Sequence, residues 1–293
     1  MSDAPSLERL LRLAEAALAR LDAALPPAPP PADWNAVAFR WRKRDGRGWL
    51  QAVRHPHPIR LADLGNIDDQ KARIVANTRQ FVAGKPANNV LLTGTRGSGK
   101  SSLVKAVLNE LCHRGLRLIE VDKDDLVDLA DIVDRLEGRS ERFIIFCDDL
   151  SFEAGETAYK ALKSVLDGSV AAPPDNVLVY ATSNRRHLMP EYFAENLETH
   201  RVDDEIHPGE TTEEKVSLSE RFGLWLSFYP FDQDQYLDIA AHWVCALGGK
   251  SDAAMRPAAL LWALERGSRS GRVAWQFARD FAGHGKAVRK KPR

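Results

Sequence analysis

A glycine-rich segment at residues 94–101 has the residue types and the spacing that hold phosphate groups. It fits the pattern G-x-x-x-x-G-K-[ST] at each fixed position. Glycines let the backbone curl so that successive N–H groups point at phosphate oxygens, and the lysine neutralises charge on the β- and γ-phosphates. The residues predicted to bind a nucleotide are Gly94, Thr95, Arg96, Gly97, Ser98, Gly99, Lys100, Ser101 and Ser102.

Two carboxylates end a strongly apolar segment, FIIFCDD at 143–149. The apolar run predicts a buried strand, and the carboxyl ends of parallel strands meet at the edge of the sheet where the phosphate loop lies. We therefore expect Asp148 to hold Mg²⁺ together with the hydroxyl of Ser101, and Asp149 to orient or deprotonate the attacking water. An acidic pair at a strand end can also form an ordinary turn or cap.

Three further polar residues are candidates for the same chemistry. Asn184 ends the next apolar segment, where its amide can hydrogen-bond a γ-phosphate and a water, although asparagine is also common in turns. Arg221 lies in SLSERFG and Arg272 in SRSGRVAWQF, and each taken singly is typical of a solvated surface charge. The predicted catalytic set is Asp149, Asn184, Arg221 and Arg272. No N-K-x-D signature follows the phosphate loop, which argues against a GTPase.

Short apolar segments that alternate with helical patterns must position these residues. The predicted strands are NVLLTG, LRLIEV, FIIFCDD, NVLVYATSN and LWLSFYPF, and helices are predicted at about 67–83 and 100–113. Apolar strands separated by helices indicate an α/β fold with a parallel sheet that is covered on both faces. The predicted segments are a 1–25 amphipathic helix, a 26–33 proline-rich linker, a 34–60 basic and aromatic extension, a 61–231 nucleotide-binding domain, a 232–285 helical domain and a 286–293 basic tail.

The order, spacing and types of these residues resemble AAA+ ATPases. Residues 94–101 correspond to Walker A, 143–149 to Walker B and Asn184 to sensor 1, while Arg221 is similar to an arginine finger and Arg272 to a sensor-2 arginine. CDDLSFEAG and LSERFGLWL are similar to boxes of bacterial replication initiators and helicase loaders. ADLGNIDDQ, GKPANNVLLTGTRGSGKSSLVKA and CDDLSFE look like the bacterial domain-of-unknown-function 815 family, over about residues 60–280.

The resemblance implies a P-loop NTPase (AAA+) fold, with a five-stranded parallel sheet between helices and a helical lid at 232–285. It also implies ATP and Mg²⁺ as ligands and nucleotide-dependent homo-oligomers in which Arg221 completes a neighbour's site. Most AAA+ proteins have Glu at the position of Asp149, whereas initiators and loaders share the Asp. The shorter side chain holds its carboxylate farther from water, which favours slow, partner-stimulated hydrolysis.

Three functions remain open on this basis. The chain is an ATPase that remodels or loads an unidentified protein or nucleic-acid partner, or an ATP-dependent switch with little hydrolysis, or a small-molecule phosphotransferase. The phosphotransferase is the least favoured, because its reaction would not require Asn184, Arg221 and Arg272 together.

Charge and composition indicate which kinds of partner and which cellular compartment to expect. Basic and acidic residues balance at 41 each, so no global field draws the protein to nucleic acid. Cations and aromatics interleave at 38–49 and suit single-stranded nucleic acid, but an amphipathic hairpin that covers the core is favoured. No apolar run approaches the ~20 residues of a membrane span, and the N-terminus lacks a signal-peptide pattern. Three widely spaced cysteines predict no disulfide framework and a reducing cytoplasm.

Overall fold

The computed structural model describes residues 7–24, 29–151, 157–167, 174–184, 200–202, 205–207 and 219–284. Three predicted features therefore lie wholly or mostly outside the described residues. They are residues 26–28 of the linker, most of the acidic segment at 191–216, and the basic tail at 286–293.

A seven-stranded sheet forms the centre of the molecule, and a two-stranded hairpin lies within the acidic segment. The strands are β1 Ala38–Arg44, β2 Arg47–Ala52, β3 Val90–Gly94, β4 Leu116–Glu120, β5 Arg142–Cys147, β6 Val177–Ser183, β7 His200–Val202, β8 Glu205–His207 and β9 Leu224–Phe228. The large sheet has the order β2-β1-β4-β5-β6-β3-β9, and all its strands run parallel except β2. The phosphate-loop strand β3 thus lies beside β6, and the acidic strand β5 lies on the other side of β6.

The predicted number of five parallel strands is wrong, because the basic extension adds two more. The five predicted strands are all present, and β1 extends the sheet by pairing with β4, with Phe39 opposite Ile119. Strand β2 then closes an antiparallel hairpin at the edge. Trp41 of β1 and Leu50 of β2 are buried, whereas Arg40, Lys43 and Arg47 are exposed.

The helices of the described residues are α1 Leu7–Ala24, α2 Asp68–Val82, α3 Lys100–Leu111, α4 Leu129–Asp134, α5 Thr157–Asp167, α6 Gln233–Ala246, α7 Met255–Glu265 and α8 Gly271–His284. Helices α2 and α3 cover one face of the sheet, and α4 and α5 cover the other. The two-residue period of a strand divides the core into two layers. Phe143 and Ile145 of β5 pack in the layer that contains α4 and α5, whereas Ile144 and Phe146 pack in the layer that contains α2 and α3.

The last three helices form a small unit with a core of its own, built around Tyr236, Ala259 and Phe277. Helix α6 begins with a capping box, in which the Asp232 carboxylate accepts from the Gln235 N–H at 2.9 Å and the Gln235 side chain accepts from the Asp232 N–H at 3.0 Å. This reciprocal pair fixes where the chain leaves the sheet and enters the helical unit.

Helix α1 stands apart from these layers. Its leucines Leu7, Leu10, Leu11, Leu13 and Leu18 are 49–75% exposed. Across the described residues, no helix is long and apolar enough to cross a membrane.

Candidate nucleotide site

The phosphate loop leaves β3 at Gly94 and enters α3 at Lys100. Gly94, Gly97 and Gly99 all have positive φ angles, of 130°, 74° and 100°, which side-chain-bearing residues adopt only under strain. Gly94 also meets a close neighbour, because a Cβ there would lie 1.9 Å from the carbonyl oxygen of Phe228. The first N–H groups of α3 have no partner within the helix, so this end of the helix attracts anions.

Lys100 folds back over the loop and is 94% buried, with 6% of its surface exposed. Its Nζ donates to the carbonyl oxygens of Gly94 and Thr95 at 2.7 and 2.8 Å, and to Asn184 Oδ1 at 3.0 Å. Burial lowers the pKa of Lys100 to about 8, an effect that the negative charges of Asp149 and Asp148 oppose. A buried ammonium held only by neutral oxygens is a good partner for an incoming polyphosphate.

Asp148 lies where β5 ends and faces the first turn of α3. Its Oδ1 accepts hydrogen bonds from Ser101 Oγ and from Thr182 Oγ1, both at 2.6 Å. A hydroxyl and a carboxylate oxygen at this spacing are the oxygen ligands that Mg²⁺ prefers, directly or through water. The structure therefore brings together the two residues that the sequence predicted as metal ligands, and their donor set fits the ion.

Asp149 and Asn184 meet across the ends of β5 and β6. The Asn184 amide donates to Asp149 Oδ1 while its own oxygen accepts from Lys100, so one side chain joins the lysine to the carboxylate. Asp149 has a φ angle of 54°, in the left-handed region, and its N–H donates to Thr182 Oγ1 at 2.9 Å. This conformation costs roughly 1 kcal/mol outside glycine, and the surrounding hydrogen bonds hold it in place.

The helical unit touches the phosphate loop directly. The N–H of Gly271 donates to the carbonyl oxygen of Gly97 at 2.9 Å, and a Cβ on Gly97 would lie 2.8 Å from the Ser270 side chain. Arg272, the second residue of α8, has an exposed side chain whose positive charge helps to lower the pKa of Lys100. The predicted sensor-2-like arginine thus lies beside the loop.

The predicted arginine finger has a different position. Arg221 donates from Nε to Asp167 Oδ1, at the end of α5, and this ion pair is partly exposed. The structure therefore joins four of the predicted site elements, namely the loop, the two aspartates, Asn184 and Arg272, and holds Arg221 against α5 of its own chain.

Comparison with known proteins identifies the family. The family described as "Protein of unknown function (DUF815)" matches residues 34–285, which is most of the chain. The chain is a DUF815 protein. No curated protein matches it.

Solved structures show that the DUF815 chain has a P-loop AAA+ fold. The Thermotoga maritima RuvB Holliday junction branch migration motor is 20% identical, with a TM-score of 0.50 over 80% of this chain and 68% of RuvB. A single-residue variant of that RuvB is 17% identical, with a TM-score of 0.52 over 80% and 69%. The replication initiator DnaA bound to AMPPCP and single-stranded DNA is 15% identical, with a TM-score of 0.51 over 78% and 66%. At these identities the likeness shows the fold alone.

Sequence reasoning missed several residues of the DUF815 site. Leu64 and Ile67 lie just before α2, and a Cβ on Gly99 would lie 3.9 and 3.6 Å from their side chains. The Asn66 amide donates to the Gln235 carbonyl at 3.2 Å, which ties this apolar segment to α6. Thr182 was also missed, although a hydroxyl directly after the apolar segment VLVYA, within the same strand, was a usable signal.

The basic hairpin of the DUF815 chain is largely neutralised by its own acids. Arg40 pairs with Glu120 at 2.6 Å, Arg42 with Asp122 at 3.8 Å, and Lys43 with Asp128 at 2.7 Å. Trp41 is buried, and its indole N–H donates to Asp128 at 3.1 Å. The hairpin covers the edge of the core, which is the arrangement that the sequence favoured over a nucleic-acid surface.

A cavity of about 700 Å³ lies between this hairpin and the prolines at 29–31, away from the phosphate loop. Within its lining, Lys43 bonds Asp128, and the Arg135 guanidinium lies 5.0 Å from the Trp41 ring centroid. The phosphate loop, with its helix N–H groups and buried ammonium, is therefore a better candidate for a nucleotide site than this cavity.

Proposed function

We propose that this DUF815 protein binds Mg²⁺ and ATP at the phosphate loop and hydrolyses the ATP slowly, at the contact between neighbouring subunits. The carrying observation is the continuous chain of contacts from Lys100 through Asn184 to Asp149, next to the Ser101–Asp148 pair. These groups lie in the segments that follow three neighbouring parallel strands, β3, β6 and β5, and so converge at the carboxyl ends of those strands.

Binding uses groups that are already aligned. The N–H groups of the loop and of the first turn of α3 receive phosphate oxygens, and the Lys100 ammonium exchanges its carbonyl partners for phosphate. Ser101 and Asp148 hold Mg²⁺, which when bound neutralises charge on the phosphates. Leu64 and Ile67 offer an apolar surface beside Gly99, where a purine base can be shielded from water.

Hydrolysis depends on Asp149 and Asn184. The Asp149 carboxylate orients the attacking water and accepts its proton, while the Asn184 amide holds that carboxylate and contributes a donor near the γ-phosphate. Arg272, beside the loop in α8, adds positive charge that makes binding sensitive to the position of the helical unit. The Asp side chain is one bond shorter than the Glu of most AAA+ proteins, which supports slow turnover.

Arg221 completes the site of a neighbouring subunit in this proposal. Its guanidinium is held by Asp167 in the single chain and has to leave that partner to act on another subunit. Such an arginine stabilises transition-state charge and accelerates phosphoryl transfer by about 10³–10⁵. We propose that the resulting nucleotide-dependent homo-oligomer remodels or loads a protein client. We place it in the cytoplasm, because Cys112, Cys147 and Cys245 are all free thiols, as expected in a reducing compartment.

A switch that binds ATP with little hydrolysis is the second candidate. One feature favours it: the Asp149 side chain is one bond shorter than the usual Glu, so its carboxylate lies farther from an attacking water. Nucleic acid is a less favoured client. The RuvB structure is that of a Holliday junction branch migration motor, and the DnaA structure is bound to single-stranded DNA. In this chain, however, the cations at 40, 42 and 43 are paired with acidic side chains of the same chain.

Steady-state phosphate release, measured over a hundredfold range of protein concentration, tests the proposal. We expect release that needs Mg²⁺, stays below the ~1 s⁻¹ at the low end of enzyme turnover, and increases per chain as the concentration rises. Chelation of Mg²⁺ with EDTA should stop it. Tight binding with no release at any concentration would favour the switch, and release that is independent of concentration would contradict a shared site.

A further inference from the structure

One hydroxyl, on Thr182 of β6, connects both aspartates of the candidate site. Thr182 is 2% exposed, and its Oγ1 lies 2.6 Å from Asp148 Oδ1 and 2.9 Å from the Asp149 nitrogen. The direction of each bond is fixed, because a backbone N–H can only donate and an ionised carboxylate can only accept. Thr182 therefore gives its single proton to Asp148 and receives the N–H of Asp149 on a lone pair.

The backbone of Thr182 holds the next residue as well. The Leu150 N–H donates to the Thr182 carbonyl oxygen at 2.7 Å, so three consecutive residues after β5 are all bonded to Thr182. The middle one, Asp149, has the left-handed φ angle of 54°. Removal of the hydroxyl would leave the Asp149 N–H without its partner at the position where the backbone conformation is strained.

Asp148 depends on the same hydroxyl for its orientation. Thr182 and Ser101 both donate to Oδ1, and among the described residues none donates to Oδ2. Oδ2 is thereby left to a metal ion or to a water bound to one. If Ser101 turns its lone pair toward a metal, Thr182 still fixes the carboxylate plane, as hydrogen-bonded neighbours of metal ligands commonly do.

We propose that Thr182 is a positioning residue that sets the metal-facing orientation of Asp148 and, through the Asp149 backbone, the direction of the hydrolytic carboxylate. This inference rests on the proposed function, since it assigns Thr182 to the same Mg²⁺ and ATP site. The Thr182 hydroxyl then has two effects: it raises the affinity for the metal through Asp148, and it raises the turnover through Asp149.

Valine is the informative replacement, because it has the shape of threonine and favours a strand but lacks the hydroxyl. Thr182→Ser keeps the hydroxyl and serves as the rescue variant. Thr78→Val is the matched control, because Thr78 is also buried and its hydroxyl also makes two hydrogen bonds, with Ile74 O at 2.7 Å and Tyr180 Oη at 2.8 Å.

The experiment measures the affinity of the full chain for a fluorescent ADP, in EDTA and across a Mg²⁺ titration, together with kcat and KM for ATP and the melting temperature. For Thr182→Val we expect affinity in EDTA within about twofold of wild type. We expect the Mg²⁺ concentration that gives half of the maximal change in ADP affinity to rise about tenfold or more, and kcat to fall about 10–100-fold. KM should change less than kcat, and Thr182→Ser should recover both quantities to within about threefold.

Three results would overturn the inference. They are an unchanged Mg²⁺ dependence and kcat in Thr182→Val, an equal loss in Thr78→Val, and a Thr182→Ser protein that is as impaired as the valine variant. If Thr182→Val does not fold, Thr182→Ala carries the same comparison. A wild-type chain that binds no nucleotide would contradict the proposed function itself, whereas normal Mg²⁺-dependent binding with an indifferent Thr182→Val would contradict the inference alone.

Discussion

The Lys100 ammonium lies 3.0 Å from the amide oxygen of Asn184, so a hydrogen bond joins the phosphate loop to the end of β6. The same amide donates to Asp149. A phosphate that draws Lys100 away from Asn184 also frees the amide oxygen next to the hydrolytic carboxylate. Binding at one residue is thereby connected to the catalytic geometry at another.

Proton uptake should accompany ATP binding near pH 8. Burial lowers the pKa of Lys100 to about 8 in the free protein, and bound phosphates favour the ammonium and raise that pKa. Binding at pH 8 should then take up about half a proton, and at pH 6.5 almost none. Affinity should weaken as the pH rises from 7 to 9. Titration calorimetry in two buffers of different ionisation enthalpy measures the uptake; equal values at pH 6.5 and 8 would rule out Lys100 as its source.

Asp149→Asn should retain Mg²⁺-dependent ATP binding and lose turnover. The amide keeps the shape of the carboxylate and can still bond Asn184, but it cannot accept a proton from water. We expect kcat to fall by about 10²–10⁴ while the affinity for ATP stays within a few-fold of wild type. Asp175→Asn, in the turn before β6, is the matched control and should be unaffected. If Asp149→Asn hydrolyses ATP normally, the base is another residue, and Glu153, outside the described residues, is the next candidate.

Arg221→Ala should bind ATP normally, assemble poorly and lose turnover by about 10³-fold, because the neighbour's site then lacks its arginine. Asp167→Asn should act in the opposite direction. The substitution removes the Asp167 carboxylate that holds the guanidinium, so half-maximal turnover should need a lower protein concentration. Phosphate release at several concentrations, together with mass photometry, measures both effects.

A mixture of Arg221→Ala and Lys100→Ala provides the control for action between subunits. Each variant supplies what the other lacks, so the mixture should recover part of the activity that neither has alone. Mixed oligomers that remain inactive would exclude a finger that acts on a neighbour, and a fully active Arg221→Ala monomer would do so more simply.

Deletion of residues 1–28 should leave ATP binding unchanged to within about twofold. The α1 leucines whose burial is described, Leu7, Leu10, Leu11, Leu13 and Leu18, are 49–75% exposed, and none of these five belongs to the three hydrophobic clusters of the core. The prolines at 29–31, which line the cavity beside the hairpin, are kept in this variant. Fluorescent-nucleotide titration of the two chains makes the comparison, and an affinity loss above tenfold would show that α1 belongs to the nucleotide site.

The local parts of the site could be predicted from the sequence because their chemistry is encoded in short spacings. Gly94 to Ser101 lie within eight residues, and Asp148 and Asp149 follow an unbroken apolar strand. The contacts of Thr182 with both aspartates could not be predicted, since they depend on the register of β6 against β5, where Cys147 lies opposite Ala181. The pairing of Arg221 with Asp167 spans 54 residues and has no local signal.

The hairpin at 38–52 was predicted only in part. The interleaved cations and aromatics at 38–49 favoured an amphipathic hairpin that covers the core, but no local signal placed it in the central sheet, where β1 pairs with β4. The acids that make the hairpin stable, Glu120 and Asp128, come from residues 80 and more positions away. Only the folded chain brings them beside Arg40 and Lys43.

Titration calorimetry of ATP with Mg²⁺ into the wild type and Lys100→Ala tests most directly the claim that the phosphate loop binds ATP. Lys85→Ala removes an exposed lysine from the turn before β3 and is the matched control, with circular dichroism melts to confirm that all three proteins fold. We predict one ATP bound per chain by wild type and by Lys85→Ala, and no detectable binding by Lys100→Ala. Wild-type affinity in folded Lys100→Ala would contradict the claim.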